Sequence, residues 1–101
     1  MKVFLDDKRE TPNGWIRVYT ANEAIELLLN GQVEEISLDH DIGIEEEVGN
    51  GYKVLKWIEE QVHTTNYKPP IMTVHSDNAP ARLRMELAIR SINEFVERKG
   101  E

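Results

Sequence analysis

At 101 residues the chain has room for one domain, residues 1–101, built on a single core. It is 40% hydrophobic and 31% charged, and no apolar run approaches the roughly 20 residues of a membrane span. A net charge of −7 argues against duplex DNA as a partner, and the lack of cysteine excludes disulfides, thiolate metal sites and cysteine nucleophiles.

Met1-Lys2 leads straight into a strand-like run, so no signal peptide is expected and a cytoplasmic location is. Residues 2–6 read as a buried strand. Lys8 to Gly14 is a turn-rich loop marked by Thr11-Pro12-Asn13-Gly14, and Trp15 to Tyr19 reads as a second strand. Thr20 and Glu23 have capping-box spacing. Ala24, Ile25, Leu28 and Leu29 follow at helical spacing, and Asn30-Gly31 stops the helix.

Glu35 to Asp39 is the third strand. Gly43 to Gly51, rich in glycine and glutamate, reads as a mobile loop. Tyr52 to Val62 is a helix with Val54, Leu55, Ile58 and Val62 on one face and Trp57 at its border. His63 suits the end of that helix as a favourable charge. Residues 71–75 form the fourth strand. Ser76 to Pro80 starts a last helix that buries Ala81, Met85, Ala88, Ile89, Ile92 and Val96 and turns Arg82, Arg84, Glu86 and Arg90 outward.

Strands alternating with helices define an α/β fold with a mostly parallel sheet. The first connection is unusual. A parallel crossover generally takes a dozen or more residues, and the stretch after Asp7 offers fewer. A reduced crossover and an antiparallel pairing both satisfy the sequence.

Three of the four strands run into polar clusters: Asp6-Asp7, Asp39-His40-Asp41 and His75-Ser76-Asp77. In a parallel sheet these would meet at the carboxyl edge, where open α/β sheets bind ligands. Asp6 and Asp7 could hold a hard cation together with substrate phosphate. Extended backbone would turn Asp39 and Asp41 one way and His40 the other, so that both carboxylates share the cation. His40 and His75 are candidates for general acid and base. Ser76 could donate to a phosphoryl oxygen. Arg82, Arg84 and Arg9 could clamp phosphate, aided by a helix N-terminus. There is no Gly-x-Ser-x-Gly turn and no phosphate-cradling glycine loop.

The acidic pair after the first strand, Asp39 after the third and Ser76 after the fourth resemble response-regulator receiver domains. That resemblance implies a truncated three-layer receiver (flavodoxin-like) fold with a four-stranded sheet in the order 2-1-3-4 and about three helices. The first helix is reduced to a loop, and the fifth strand, its lysine and the fifth helix are absent. It also implies a metal-binding role for Asp6 and Asp7 and makes Asp39 the phosphoacceptor position. The segments Val3-Phe4-Leu5-Asp6-Asp7, Ile36-Ser37-Leu38-Asp39-His40-Asp41 and Val74-His75-Ser76, with Thr20-Ala21-x-Glu23-Ala24, resemble the cyclic-phosphate processing receiver-like domains.

Two functional readings follow. In the first, Asp6, Asp7, Asp39 and Asp41 hold Mg²⁺ or Mn²⁺, and the protein hydrolyses a cyclic phosphate on a nucleotide or RNA end. His40, His75 and Asp39 are then catalytic, and Ser76, Arg9, Arg82 and Arg84 bind the substrate. In the second, the domain is a non-enzymatic module that binds Mg²⁺ or accepts a phosphoryl group on Asp39.

Overall fold

The computed structural model describes residues 1–100. In chain order these form β1 (Lys2–Leu5), β2 (Trp15–Val18), α1 (Ala21–Leu29), β3 (Glu35–Leu38), α2 (Glu45–Val48), α3 (Gly51–Thr64), β4 (Ile71–Val74) and α4 (Ala79–Lys99). The strands make one sheet in the order β2-β1-β3-β4, and every pair is parallel. This is the truncated receiver-like α/β fold.

The register explains why the polar clusters meet. Leu5 pairs with Val18 and Leu38, and Leu38 with Val74, so the four strands end level. Residues 6, 39 and 75 therefore leave the sheet side by side.

The parallel β1–β2 pair decides the first connection in favour of a reduced crossover, residues 6–14. Hydrogen bonds hold this loop where a helix would have packed. The Asp6 carboxylate Oδ1 accepts from the backbone N–H of Lys8 and Arg9, at 2.7 and 2.9 Å. Arg17 donates from Nε to Thr11 Oγ1 at 2.7 Å and from its guanidinium to the Asp6 carbonyl at 2.9 Å. Gly14, at φ 84°, makes the turn into β2 in a conformation that side chains disfavour.

The helices share one face of the sheet. Val3, Leu5, Val18, Ile36, Leu38 and Met72 alternate along the strands and are buried against residues of α1, α3 and α4. On the other face Phe4 is 6% exposed, under an edge-on Trp15 and stacked on His75 with ring centroids 4.3 Å apart. Ile71 on that face is 64% exposed. Among the described residues, the face opposite the helices carries the loop 6–14 and open sheet.

Local signals set the helix boundaries. Thr20 Oγ1 accepts from Glu23 N–H at 3.0 Å, and Glu23 reaches back to Tyr19 N–H at 3.1 Å, one residue before the usual capping-box partner. The buried stripe of α1 is Ala21, Ala24 and Leu28. Leu29 is 66% exposed, because it lies about 100° around the helix from Leu28. The segment read as a mobile loop contains one helical turn, α2, with three exposed glutamates. Helix α3 begins at Gly51, capped by Asn50 Oδ1 on Lys53 N–H. Its His63 ring lies 3.8 Å from that of Phe95, so it packs onto α4 as well as ending the helix. Among the described residues no helix is long and apolar enough to cross a membrane.

Candidate metal centre and its cleft

Asp6, at the end of the central strand β1, is 1% exposed. Its Oδ1 is used by the two loop amides, and its Oδ2 lies 2.9 Å from His75 Nε2. The other ring nitrogen of His75 lies 2.7 Å from Ser37 Oγ on the neighbouring strand. An ionised carboxylate only accepts, so in the neutral imidazole Nε2 carries the proton and the serine hydroxyl donates to Nδ1. Burial works to raise the pKa of Asp6. The amides of Lys8 and Arg9 and the His75 ring outweigh it and hold the carboxyl below its usual value.

Asp39 behaves oppositely. Burial, and then the charge of Asp6, push its pKa up, against the His40 amide at 2.8 Å, the His75 ring and the neighbouring Ser76 hydroxyl. One donor atom from each of Asp6, Asp39 and His75 lies within 4.8 Å of the others. Two facing carboxylates with a ring nitrogen beside them make a mixed oxygen and nitrogen donor set, and a divalent cation between them would relieve their mutual repulsion. The residues present fit a cation.

A cleft of about 190 Å³ opens over Asp6 and Asp39, and His75 is not among its lining residues. Its acidic lining is Asp6, Asp7, Asp39, Asp41 and Asp77, and Lys8 and Arg9 supply the cationic side chains. Arg9 reaches across to Asp77 at 2.6 Å, and that contact raises the guanidinium pKa. Ser76, 2% exposed, accepts from Asn78 N–H at 3.1 Å while Asn78 Oδ1 caps α4 on Ala81 N–H. Ser76 therefore shapes the start of α4 and keeps its proton for a neighbour in the cleft.

The expectation for Asp39, His40 and Asp41 changes in detail. Strand β3 ends at Leu38 and the chain bends at His40, so the alternation of faces does not carry through to Asp41. His40 Nδ1 and Asp41 Oδ1 meet at 2.8 Å, and Asp41 Oδ2 accepts from Asn78 Nδ2 at 3.2 Å. These two contacts lower the Asp41 pKa, His40 contributing more. Asp7 and Asp41 line the cleft but stand outside the three-residue donor group. His40 is not among the lining residues. Neither are Arg82 and Arg84: both are exposed, and Arg82 Nε faces Glu86 at 3.7 Å across one helical turn. The residue that sequence reasoning passed over is Ser37. It reads as a small strand residue, and only the pairing of β3 with β4 brings it under His75.

The chain matches the family described as the Cyclic-phosphate processing Receiver domain over residues 1–91. It belongs to that family. No curated protein and no solved structure matched it.

Proposed function

We propose that this domain opens a cyclic phosphate ester on a nucleotide or an RNA end with the help of a divalent cation, in the cytoplasm. The observation that carries the reading is the Asp6–Asp39–His75 donor group, whose two carboxylates line a cleft together with Arg9, Lys8 and the residues that lead into α4. Five carboxylates and two cationic side chains line that cleft, so an anionic phosphate would be repelled without a cation. Mg²⁺ or Mn²⁺ held by Asp6 and Asp39, with Asp7 and Asp41 close by, would screen phosphoryl charge and lower the pKa of a bound water.

The chain's own groups divide the remaining work. Arg9 leaves Asp77 to hold a phosphoryl oxygen, and the α4 N-terminus adds a favourable dipole. Hydrolysis takes one proton from water and returns one to the leaving oxygen as the P–O bond breaks. The pair of Asp41 at the cleft wall and His40, 2.8 Å away, takes the proton from water and gives it back to the leaving oxygen. His75, its Nδ1 held by Ser37 Oγ, keeps its Nε2 beside Asp6 Oδ2.

The test is turnover of 2′,3′-cyclic nucleotides, 3′,5′-cyclic nucleotides and a cyclic-phosphate RNA end, each with Mg²⁺, Mn²⁺ or chelator. Chelator should abolish turnover. His40→Ala should lower it ~100-fold, within the usual range for a lost acid–base group. No turnover of any of the three, together with a phosphoryl adduct from a small phosphodonor that Asp39→Asn abolishes, would establish the phosphoacceptor reading instead. The position of Asp39 at the end of β3, lining the cleft, favours that second reading.

A further inference from the structure

We propose that His75 is itself a ligand of the cation, that Ser37 is the positioning residue which sets its ring, and that the site therefore prefers a transition-metal ion to Mg²⁺. The inference rests on the cation-dependent reading above but not on the identity of the substrate. It starts from the ring of His75, which is constrained on three sides. Phe4 stacks on its plane, with 6° between the rings. Ser37 Oγ holds Nδ1 at 2.7 Å, and Nε2 points at Asp6 Oδ2 at 2.9 Å. Ser37 is buried and Asp6 is almost wholly so, and the ring is held against Asp6 rather than left to rotate.

The 2.9 Å spacing between Asp6 Oδ2 and His75 Nε2 is close to that of two adjacent ligands in an octahedral shell, about 3 Å for bonds of ~2.1 Å. Asp39 offers the third donor, an oxygen within 4.8 Å of the other two. Asp6 can accept a cation on Oδ2, since the two backbone amides fall on Oδ1.

Ser37 makes the change of role possible without moving the ring. A hydroxyl donates or accepts as required. With no cation bound it donates to Nδ1 and Nε2–H faces Asp6. With a cation bound, Nδ1–H donates to Ser37 Oγ and the Nε2 lone pair faces the metal. One proton leaves Nε2 to solvent and one joins Nδ1 from solvent, so this step is proton-neutral. The pattern is that of metal-binding histidines, whose second nitrogen is held by a protein oxygen that orients the ring. Imidazole suits first-row transition ions, whereas Mg²⁺ favours oxygen donors and keeps its waters.

The experiment is calorimetric titration of the untagged protein with Mn²⁺, Zn²⁺ and Mg²⁺ separately, with imidazole ¹⁵N shifts followed during Zn²⁺ binding. Wild type should bind Mn²⁺ and Zn²⁺ at least 10-fold more tightly than Mg²⁺, and the His75 Nε2 resonance should move to the metal-bound region. His75→Ala should weaken Zn²⁺ about 100-fold and Mg²⁺ less than threefold. Ser37→Ala should weaken Zn²⁺ about 10-fold, as losses of outer partners do, with Mg²⁺ affinity serving as the control for folding. Equal affinity for Mg²⁺ and Zn²⁺, Zn²⁺ binding insensitive to His75→Ala, or loss through His40→Ala instead would each overturn the proposal. Metal binding that follows these expectations without turnover of any cyclic phosphate would sink the proposed hydrolysis and leave the ligand assignment standing.

Discussion

Asp6 and Asp39 sit on neighbouring strands and are pulled in opposite directions. The two loop amides and His75 hold the Asp6 carboxyl low, so its ionised form stabilises the fold. That contribution is complete above its ordinary value of 3.8 and is lost as pH falls through the depressed folded value. Asp39 is raised by burial and by the charge of Asp6, so the folded state holds its proton more tightly than the unfolded chain. Ionised Asp39 therefore works against the fold at neutral pH, and stability returns as pH falls from the raised value toward 3.8. Asp39→Asn should raise the thermal midpoint at pH 7, each ~1 kcal/mol appearing as about 4–8 °C in a domain of this size. The gain should shrink below the unfolded value. Asp6→Asn should lose ~2 kcal/mol, because hydrogen bonds to a charged group are lost and an amide would face the His75 Nε2–H. Calorimetric melts across pH 3–7, measured in chelator, check both; a lower midpoint for Asp39→Asn would reverse the assignment.

At the scale of elements, the site depends on how closely α3 approaches the end of β3. Gly51, the first residue of α3, donates to the His40 carbonyl at 3.4 Å. A Cβ at Gly51 would collide with the Asp39 carbonyl oxygen and come within 2.7 Å of Met85 Cε. The methionine can move, but the strand backbone cannot without displacing Asp39. Gly51→Ala should cost about 1–3 kcal/mol, the range for overpacking, and should lower cation affinity as well as stability. A variant destabilised but binding the cation normally would show that the helix, not β3, gives way. Sequence reading found the helix but began it at Tyr52, since a glycine at a helix start carries no apolar signal. Its importance lies in what packs above it.

On the scale of the molecule, four parallel strands lean on a single helical layer. Parallel sheets are generally covered on both faces. Here the second face has Phe4 buried among Trp15, His75 and the Arg17 guanidinium, and the β4 side open at Ile71. The two central strands are the best protected, being paired on both sides and carrying Val3, Leu5, Ile36 and Leu38, which are fully buried. Native-state hydrogen exchange should find the β1 and β3 amides slowest, opening only with global unfolding, and β2 faster because its outer edge is free. Equal protection of β2 and β1 would mean that the loop 6–14 unfolds only with the whole domain.

Much was legible in the sequence, for definite reasons. Apolar runs ending in Asp6-Asp7, Asp39-His40-Asp41 and His75-Ser76 mark buried strands with a polar edge, and helical spacing marks α1, α3 and α4 because burial of one face demands it. The resemblance implied the strand order, and the structure has it. The partition within the clusters was another matter. Local extended geometry assigned Asp39 and Asp41 to one cation, but the backbone turns after Leu38 and gives Asp41 to His40 and Asn78. Helical position put Arg82 and Arg84 near the edge, but Arg82 faces Glu86 a turn further along α4, and neither arginine reaches the cleft. Which aspartates and which histidine share a centre depends on separations of 33 to 69 residues along the chain, and on the level register of three strands. The residue types at the sheet edge were determined by the sequence itself, through the alternation of apolar runs and polar ends. The grouping of Asp6, Asp39 and His75, with Ser37 behind the ring, was decided only by the tertiary structure, because strand pairing sets which side chains face each other across the sheet.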